Sequence, residues 1–461
     1  MKDTEEKCRD IGAQSSESVP ERLGFFPASP MTNCGTVLGG SVPFGSEAVP
    51  TPSERKTSTN SSAHHSVLLK GLTLVLSRPR VVAETAVGRC WYPDLLRFST
   101  GELMLNYSLN ADANDNRHNS QVVCISTDQG RTFDFTYDVN GFHNSGGEPR
   151  ISLADGRIVG TSAFLRPDPP GQWRRFVAHY WSYENGGRRY TVDAWGATVE
   201  GLPRDVERLR TTTRTWWGRI NWFGDIVELE SGTWISTISM RFRGDKREST
   251  LAVISRDAGC HWHYLSTVAG ADAISDAKEG FDEPCLIRLA DGDLMCVSRV
   301  GPHEDQKLAR TYSSDGGKTW SPIDRLPAFS VAPQMCRIKN GILALSTGRP
   351  GLFLWLATDP RGNHWQSLDV MVYHNSVVGE ALQITVPREE PTAAGRSTND
   401  DGIVDLDTQK QQTTAYTALV EVTQNRVFLV YDRSPFGWKP VPAQAGERSQ
   451  IFLIEIDIWR T

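Results

Sequence analysis

The sequence predicts an all-β chain folded as a six-bladed β-propeller, and three observations carry that prediction. The octet Ser313-Ser314-Asp315-Gly316-Gly317-Lys318-Thr319-Trp320 recurs upstream as Ser126-Thr127-Asp128-Gln129-Gly130-Arg131-Thr132-Phe133 and Ser255-Arg256-Asp257-Ala258-Gly259-Cys260-His261-Trp262. A strand, a short polar turn and a second strand recur six times between Tyr92 and Leu429, and five of the six turns contain Gly. No long segment has the 3.6-residue period of a helical solenoid, and no G-H…W-D signature marks a WD40 array.

Each octet has a mechanical reading. Ser and Asp side chains bond backbone groups in a tight turn, Gly takes the positive-φ position, and the aromatic residue closes the turn as a plug. Thr358-Asp359-Pro360-Arg361-Gly362-Asn363-His364-Trp365 reads as a damaged fourth copy, lengthened by one residue.

Residues 1 to 65 are rich in Ser, Pro, Thr, Gly and Glu without sustained periodicity, so they bury too little apolar surface to offset ordering entropy and read as a disordered tail. Order begins at the β-like run Ser66 to Leu76, and residues 66–461 form the propeller. The six hairpins start at Tyr92, Glu148, Ile226, Glu283, Ala332 and Tyr416. Spread over about 395 residues, they leave about 66 per unit, enough for four strands and their loops. The terminal run Ser449 to Ile458 reads as a strand that pairs with the first ordered strands and closes the ring, removing an exposed edge. Two stretches break the rhythm: 166 to 217, rich in Trp and read as an inserted flap, and the polar 387 to 412.

Composition narrows the function classes. At 461 residues and 39% hydrophobic content the chain buries a sizeable core, and 14 Trp and 40 Gly suit β-structure. A net charge of -6 and a pI near 6.0 give no basic footprint for nucleic acid or an anionic membrane. No apolar run reaches the ~18 residues of a membrane helix. The start Met1 to Lys7 lacks the apolar core of a secretory signal, so as written the chain reads as cytoplasmic, or as one whose exported form begins elsewhere. Eight Cys include no C-x-x-C pair, so no zinc or other cofactor is expected. Cys285 and Cys296 flank one turn, either facing each other across a hairpin or, as preferred, remaining buried free thiols.

The octets resemble the Asp-boxes of the sialidase superfamily, rim turns that are structural there. The resemblance covers most of residues 80 to 461 and implies a propeller of the sialidase type and an exo-α-sialidase-like glycoside hydrolase that removes a terminal, acidic sugar from a glycoconjugate or oligosaccharide. It also implies site residues. In that family a Glu opens one hairpin, an Arg of a carboxylate-binding triad follows its second strand, another triad Arg lies in the next blade, and a catalytic Tyr opens the last hairpin. Glu283, Arg299, Arg349 and Tyr416 match that order, and Asp115 or Asp112, upstream of the first octet, matches the region of the general acid. The first triad Arg is replaced by Trp91, two residues before Pro93, which leaves Arg89 as the nearest substitute and admits another acidic or a neutral sugar.

These residue types suit the chemistry. A substrate with a carboxylate at its reacting carbon repels a carboxylate nucleophile, so a neutral Tyr activated by a Glu base serves better. Paired Arg residues grip a carboxylate through planar bidentate bonds. Each residue also has a plainer reading: Tyr416 as a strand aromatic, Glu283 and Arg299 as a structural ion pair, Asp115 in a solvated turn, and Glu148 as a turn cap or a second carboxylate. His118 and His143 would serve a polysaccharide lyase acting on uronic acids, and a propeller without a catalytic set would bind carbohydrate without turnover.

Overall fold

The computed structural model describes residues 64–85, 90–109, 120–140, 148–208, 220–230, 232–301, 306–349, 351–385, 397–398, 404–405, 412–435 and 448–461. Strands dominate, and among the described residues one α-helix occurs, Val370–Val377, with no helix long and apolar enough to cross a membrane.

The strands form antiparallel units that follow one another along the chain. Trp91–Arg97, Leu103–Ser108, Ser120–Ser126 and Phe135–Asn140 make the first. A larger sheet holds two such sets. Arg150–Ser152, Ile158–Thr161, Phe176–Glu184 and Arg189–Glu200 form one, and Ile220–Glu230, Thr233–Met240, Ser249–Ser255 and His261–Ala269 the other. Their fourth strands join in parallel, with Thr198 opposite His261 and Val199 opposite Trp262. Two four-stranded sheets follow, from Asp282–Arg288 to Asp324–Arg325 and from Gln334–Arg337 to Trp365–Asp369. In the last sheet Thr417–Thr423, Arg426–Arg433 and Ser449–Arg460 are completed by Leu72–Leu76 and His65–Leu69 from the other end of the chain. The closure expected for the terminal strand is present, with Leu74 opposite Ile458.

All six expected hairpins form, and four share one turn. The amides of Phe98, Leu153, Leu289 and Ile338 each donate to the carbonyl four residues on, and the Gly three residues on donates back. The octets lie where the third strand meets the fourth. Ser313 Oγ accepts from Gly317 N at 2.8 Å, and Asp315 accepts from the Thr319 amide and hydroxyl. The copies at Ser126 and Ser255 repeat the pattern, while in the lengthened copy Asp359 accepts from the amides of Asn363 and His364. Trp262 is fully buried, and Trp320 donates Nε1 to Ser266 Oγ on the preceding unit.

Apolar side chains between neighbouring units make the core. Leu96, Phe98 and Met104 pack on Ile158 and Trp181; Ile235 and Ala252 pack on Leu286 and Leu294. Val430 and Leu453 of the last sheet pack on Leu95 and Leu105 of the first. One expectation is corrected. The stretch 166 to 217 is not an inserted flap, because it supplies the third and fourth strands of its unit, Phe176–Glu184 and Arg189–Glu200. Cys285 and Cys296 are buried free thiols, as preferred: Cys296 sits opposite Leu286 and Cys285 opposite Val297, so alternation puts the two thiols on opposite faces.

Candidate functional site

The first strands of successive units lie side by side, and their starting residues carry unusual backbones. Tyr92, Glu283 and Ala332 have φ of 51°, 42° and 38°, and each precedes a proline. Arg349 and Ala415 have φ of 65° and 62°. A side-chain-bearing residue in this region costs roughly 1–3 kcal/mol and persists only where its surroundings hold it, a pattern that clusters at functional sites.

These residues converge. Glu283 is buried, and its Oε2 accepts from the Arg299 guanidinium at 3.0 Å and from the Ala332 amide at 2.7 Å. The second terminal nitrogen of Arg299 reaches Glu279 at 3.0 Å. Burial alone would lower the Arg299 pKa, but Glu283, Glu279 and Asp282 outweigh it and raise it, so this guanidinium stays charged. Burial pushes up the carboxyls of Glu279 and Asp282, the latter reinforced by the charge of Glu283. Asp282 accepts from Ser239 Oγ at 2.6 Å and from the Glu283 amide at 2.8 Å, which pins the strained turn.

Tyr416 packs with Tyr92, Val331 and Ala332 in one small buried cluster. Its ring stacks on Tyr92 at 4.0 Å between centroids, and the Arg349 guanidinium lies 5.2 Å from its ring centre. Arg349 also donates to the Thr414 carbonyl at 3.0 Å. Ala332 therefore links Glu283 to Tyr416. Beneath Thr414, the fully buried Asp432 accepts from Thr413 Oγ1, Thr414 N and Thr414 Oγ1, fixing the turn that delivers Tyr416.

A second polar layer lies further along the first strands, with Asp94 and Arg150 two residues beyond Tyr92 and Glu148. Asp94 pairs with Arg150 at 2.7 Å, and Asp225 stands 3.9 Å from the same guanidinium. Burial raises the carboxyl pKa of Asp94 and of Asp225, and the two carboxylates outweigh burial to raise that of Arg150. The side chain of Asp225 is 39% accessible although protein surrounds it, as expected in a narrow concavity.

Of the residues nominated from sequence, Glu283, Arg299, Arg349 and Tyr416 come together here. Asp112, Asp115 and Arg89 lie outside the described residues, as do His118 and His143. Sequence reasoning missed Glu279, Asp282, Tyr92, Asp94, Arg150, Asp225 and Asp432. The repeated residue-before-proline position pointed to Tyr92, and the layer two residues on pointed to Asp94 and Arg150. Among the described residues no group of His, Cys, Asp and Glu is arranged to hold a metal ion.

Comparison with known proteins follows this geometry. The BNR repeat-like domain matches residues 164–428. No curated protein matches. Among solved structures, a protein of unknown function from Dyadobacter fermentans is similar at 17% identity and a TM-score of 0.54, over 85% of this chain and 100% of that one. The Hadza microbial sialidase Hz136 is similar at 14% identity and 0.50, over 79% of this chain and 65% of the sialidase. An α-L-arabinanase of Penicillium chrysogenum, complexed with arabinobiose, is similar at 13% identity and 0.50, over 82% and 97%. At these identities the likeness is one of fold, a glycoside-hydrolase-like one. Because the repeat domain spans more than half of its length, the chain belongs to the BNR repeat-like domain family.

Proposed function

We propose that the chain is a six-bladed propeller and a retaining, exo-acting glycoside hydrolase, with Tyr416 as nucleophile and Glu283 as its base. The observation that carries this reading is the convergence of Glu283, Arg299, Arg349 and Tyr416, drawn from three sheets, on one buried polar cluster. The likeness to a sialidase and an arabinanase agrees with a sugar substrate.

In the proposed reaction the Tyr416 hydroxyl oxygen attacks the anomeric carbon as the glycosidic bond breaks, and its proton passes to Glu283. Tyr is a poor nucleophile at its ordinary pKa near 10, so the base is needed. The Arg349 guanidinium beside the ring stabilises the oxygen's developing negative charge. Asp115 or Asp112 is the proposed acid that protonates the leaving oxygen, after which water hydrolyses the glycosyl intermediate and Tyr416 is regenerated. Arg299 holds Glu283 in place, and Arg349 and Arg89 are proposed to line the substrate.

A panel of aryl glycosides, including sialosides and arabinosides, tests the reading with wild-type protein and Tyr416→Phe. Turnover of at least one glycoside is expected, falling by orders of magnitude in the variant while the melting temperature holds. Near-wild-type turnover in Tyr416→Phe, or no turnover of any glycoside, would defeat it; in the latter case the chain is a carbohydrate-binding propeller.

A further inference from the structure

We propose that the site selects a terminal sugar without a carboxylate, because the protein's own groups already engage the guanidiniums Arg150, Arg299 and Arg349. The proposal rests on the reading of this cluster as a sugar site and names the substrate class. Arg299 is spent on Glu283 and Glu279, each at 3.0 Å. Arg150 lies between Asp94 and Asp225. Arg349 donates to the Thr414 carbonyl and lies over the Tyr416 ring.

The balance of charge points the same way. Among the described residues, the four carboxylates Asp94, Asp225, Glu279 and Glu283 pair with two guanidiniums, Arg150 and Arg299. A carboxylated sugar would have to displace Glu283 or Glu279 from Arg299, leaving a buried carboxylate without its counter-charge. It would also approach Asp225, whose side chain is 39% accessible. A neutral sugar meets neither penalty. Its hydroxyls are donors, and carboxylate oxygens accept hydrogen bonds without donating any.

Saturation-transfer NMR on the full chain separates the possibilities without requiring turnover. The neutral probes are methyl α-L-arabinofuranoside and a set of methyl hexosides, and the carboxylated probes are methyl α-sialoside and a methyl glucuronide. Binding of at least one neutral probe is expected, about tenfold or more tighter than either carboxylated one at low salt, with the gap narrowing as salt rises. Asp225→Asn is expected to narrow the gap further by strengthening the carboxylated probes. A carboxylated probe that binds more tightly than every neutral one overturns the proposal, as does failure of all neutral probes to bind. Should neutral probes bind while no glycoside is hydrolysed, the hydrolase reading falls and the selectivity stands.

Discussion

At the scale of single residues, the geometry ties the fate of Tyr416 to two carboxylates. Glu283 shares its cluster through Ala332, so Glu283→Gln is expected to lower turnover about as much as Tyr416→Phe. The double variant should be little worse than either single one, because the two act as one unit; additive losses measured on the best glycoside would separate their roles. Asp432 supports the turn ahead of Tyr416, and burial foremost pushes its carboxyl up to about 6, above the ordinary carboxylate range. A carboxyl raised in the folded state contributes stability that is complete below the unfolded value and is lost as pH rises through the folded one. Asp432→Asn, whose amide oxygen still accepts from the Thr414 amide, removes that dependence. Relative to the variant, wild-type protein should therefore gain up to about 3 kcal/mol as pH falls from above 6 to below 4. Denaturant titrations of both proteins across that range check it, and parallel curves would show that Asp432 does not titrate there.

Elements show why some units were legible and others were not. An octet turn depends on contacts within eight residues, so Ser313, Asp315, Gly317 and Thr319 declare it in the sequence alone. The second unit turns instead through Asn185, Gly186 and Gly187, with φ of 51°, 62° and 88°. Gly187 packs against Met104 and Ile125 of the preceding unit much as Gly317 packs against Ile235, so a different sequence serves the same packing. That substitution is why 166 to 217 resembled an insertion. Asp315→Ala should cost about 1 kcal/mol, since its turn is largely exposed, and should leave sugar binding unchanged. Hydrogen bonds from Thr319 foremost hold the Asp315 carboxyl down to about 2, so the deficit should be present above the ordinary carboxylate range and vanish as pH falls towards 2. Thermal melts at neutral and acid pH measure it; lost binding at full stability would make the turn part of the site.

For the whole molecule, the decisive contact joins the two ends of the chain. Leu72–Leu76 pairs with Ser449–Arg460 and buries Leu72, Leu74 and Leu76 completely. Deleting residues 1–63 should therefore leave the melting temperature and any activity unchanged, because the closing strands remain. Extending the deletion through residue 77 removes three buried leucines, each worth roughly 2–5 kcal/mol, and reopens a sheet edge. That longer deletion should yield insoluble or unfolded protein. A matched pair of truncations, compared by yield and melting curve, tests both statements; equal behaviour would mean that the terminal pairing does not close the molecule.

The sequence by itself determined the all-β class, the six hairpins and the octet turns, because each arises from alternation and from turn residues in contact with near neighbours. It also nominated Glu283, Arg299, Arg349 and Tyr416, through their order along a familiar repeat. Only the tertiary structure decided what those residues face. Glu279 stands on an irregular loop, and no period marks it as a partner of Arg299. Tyr92 and Tyr416 are 324 positions apart in sequence, yet their rings stack at 4.0 Å because the first and last sheets adjoin. Asp225 comes within 3.9 Å of Arg150 just after Gly224, which has φ of 90° and passes close to the Pro284 carbonyl of the next sheet. Charges interact through space, whereas turns and strand alternation are written locally; the elements could be read in order, and the electrostatics of the site could not.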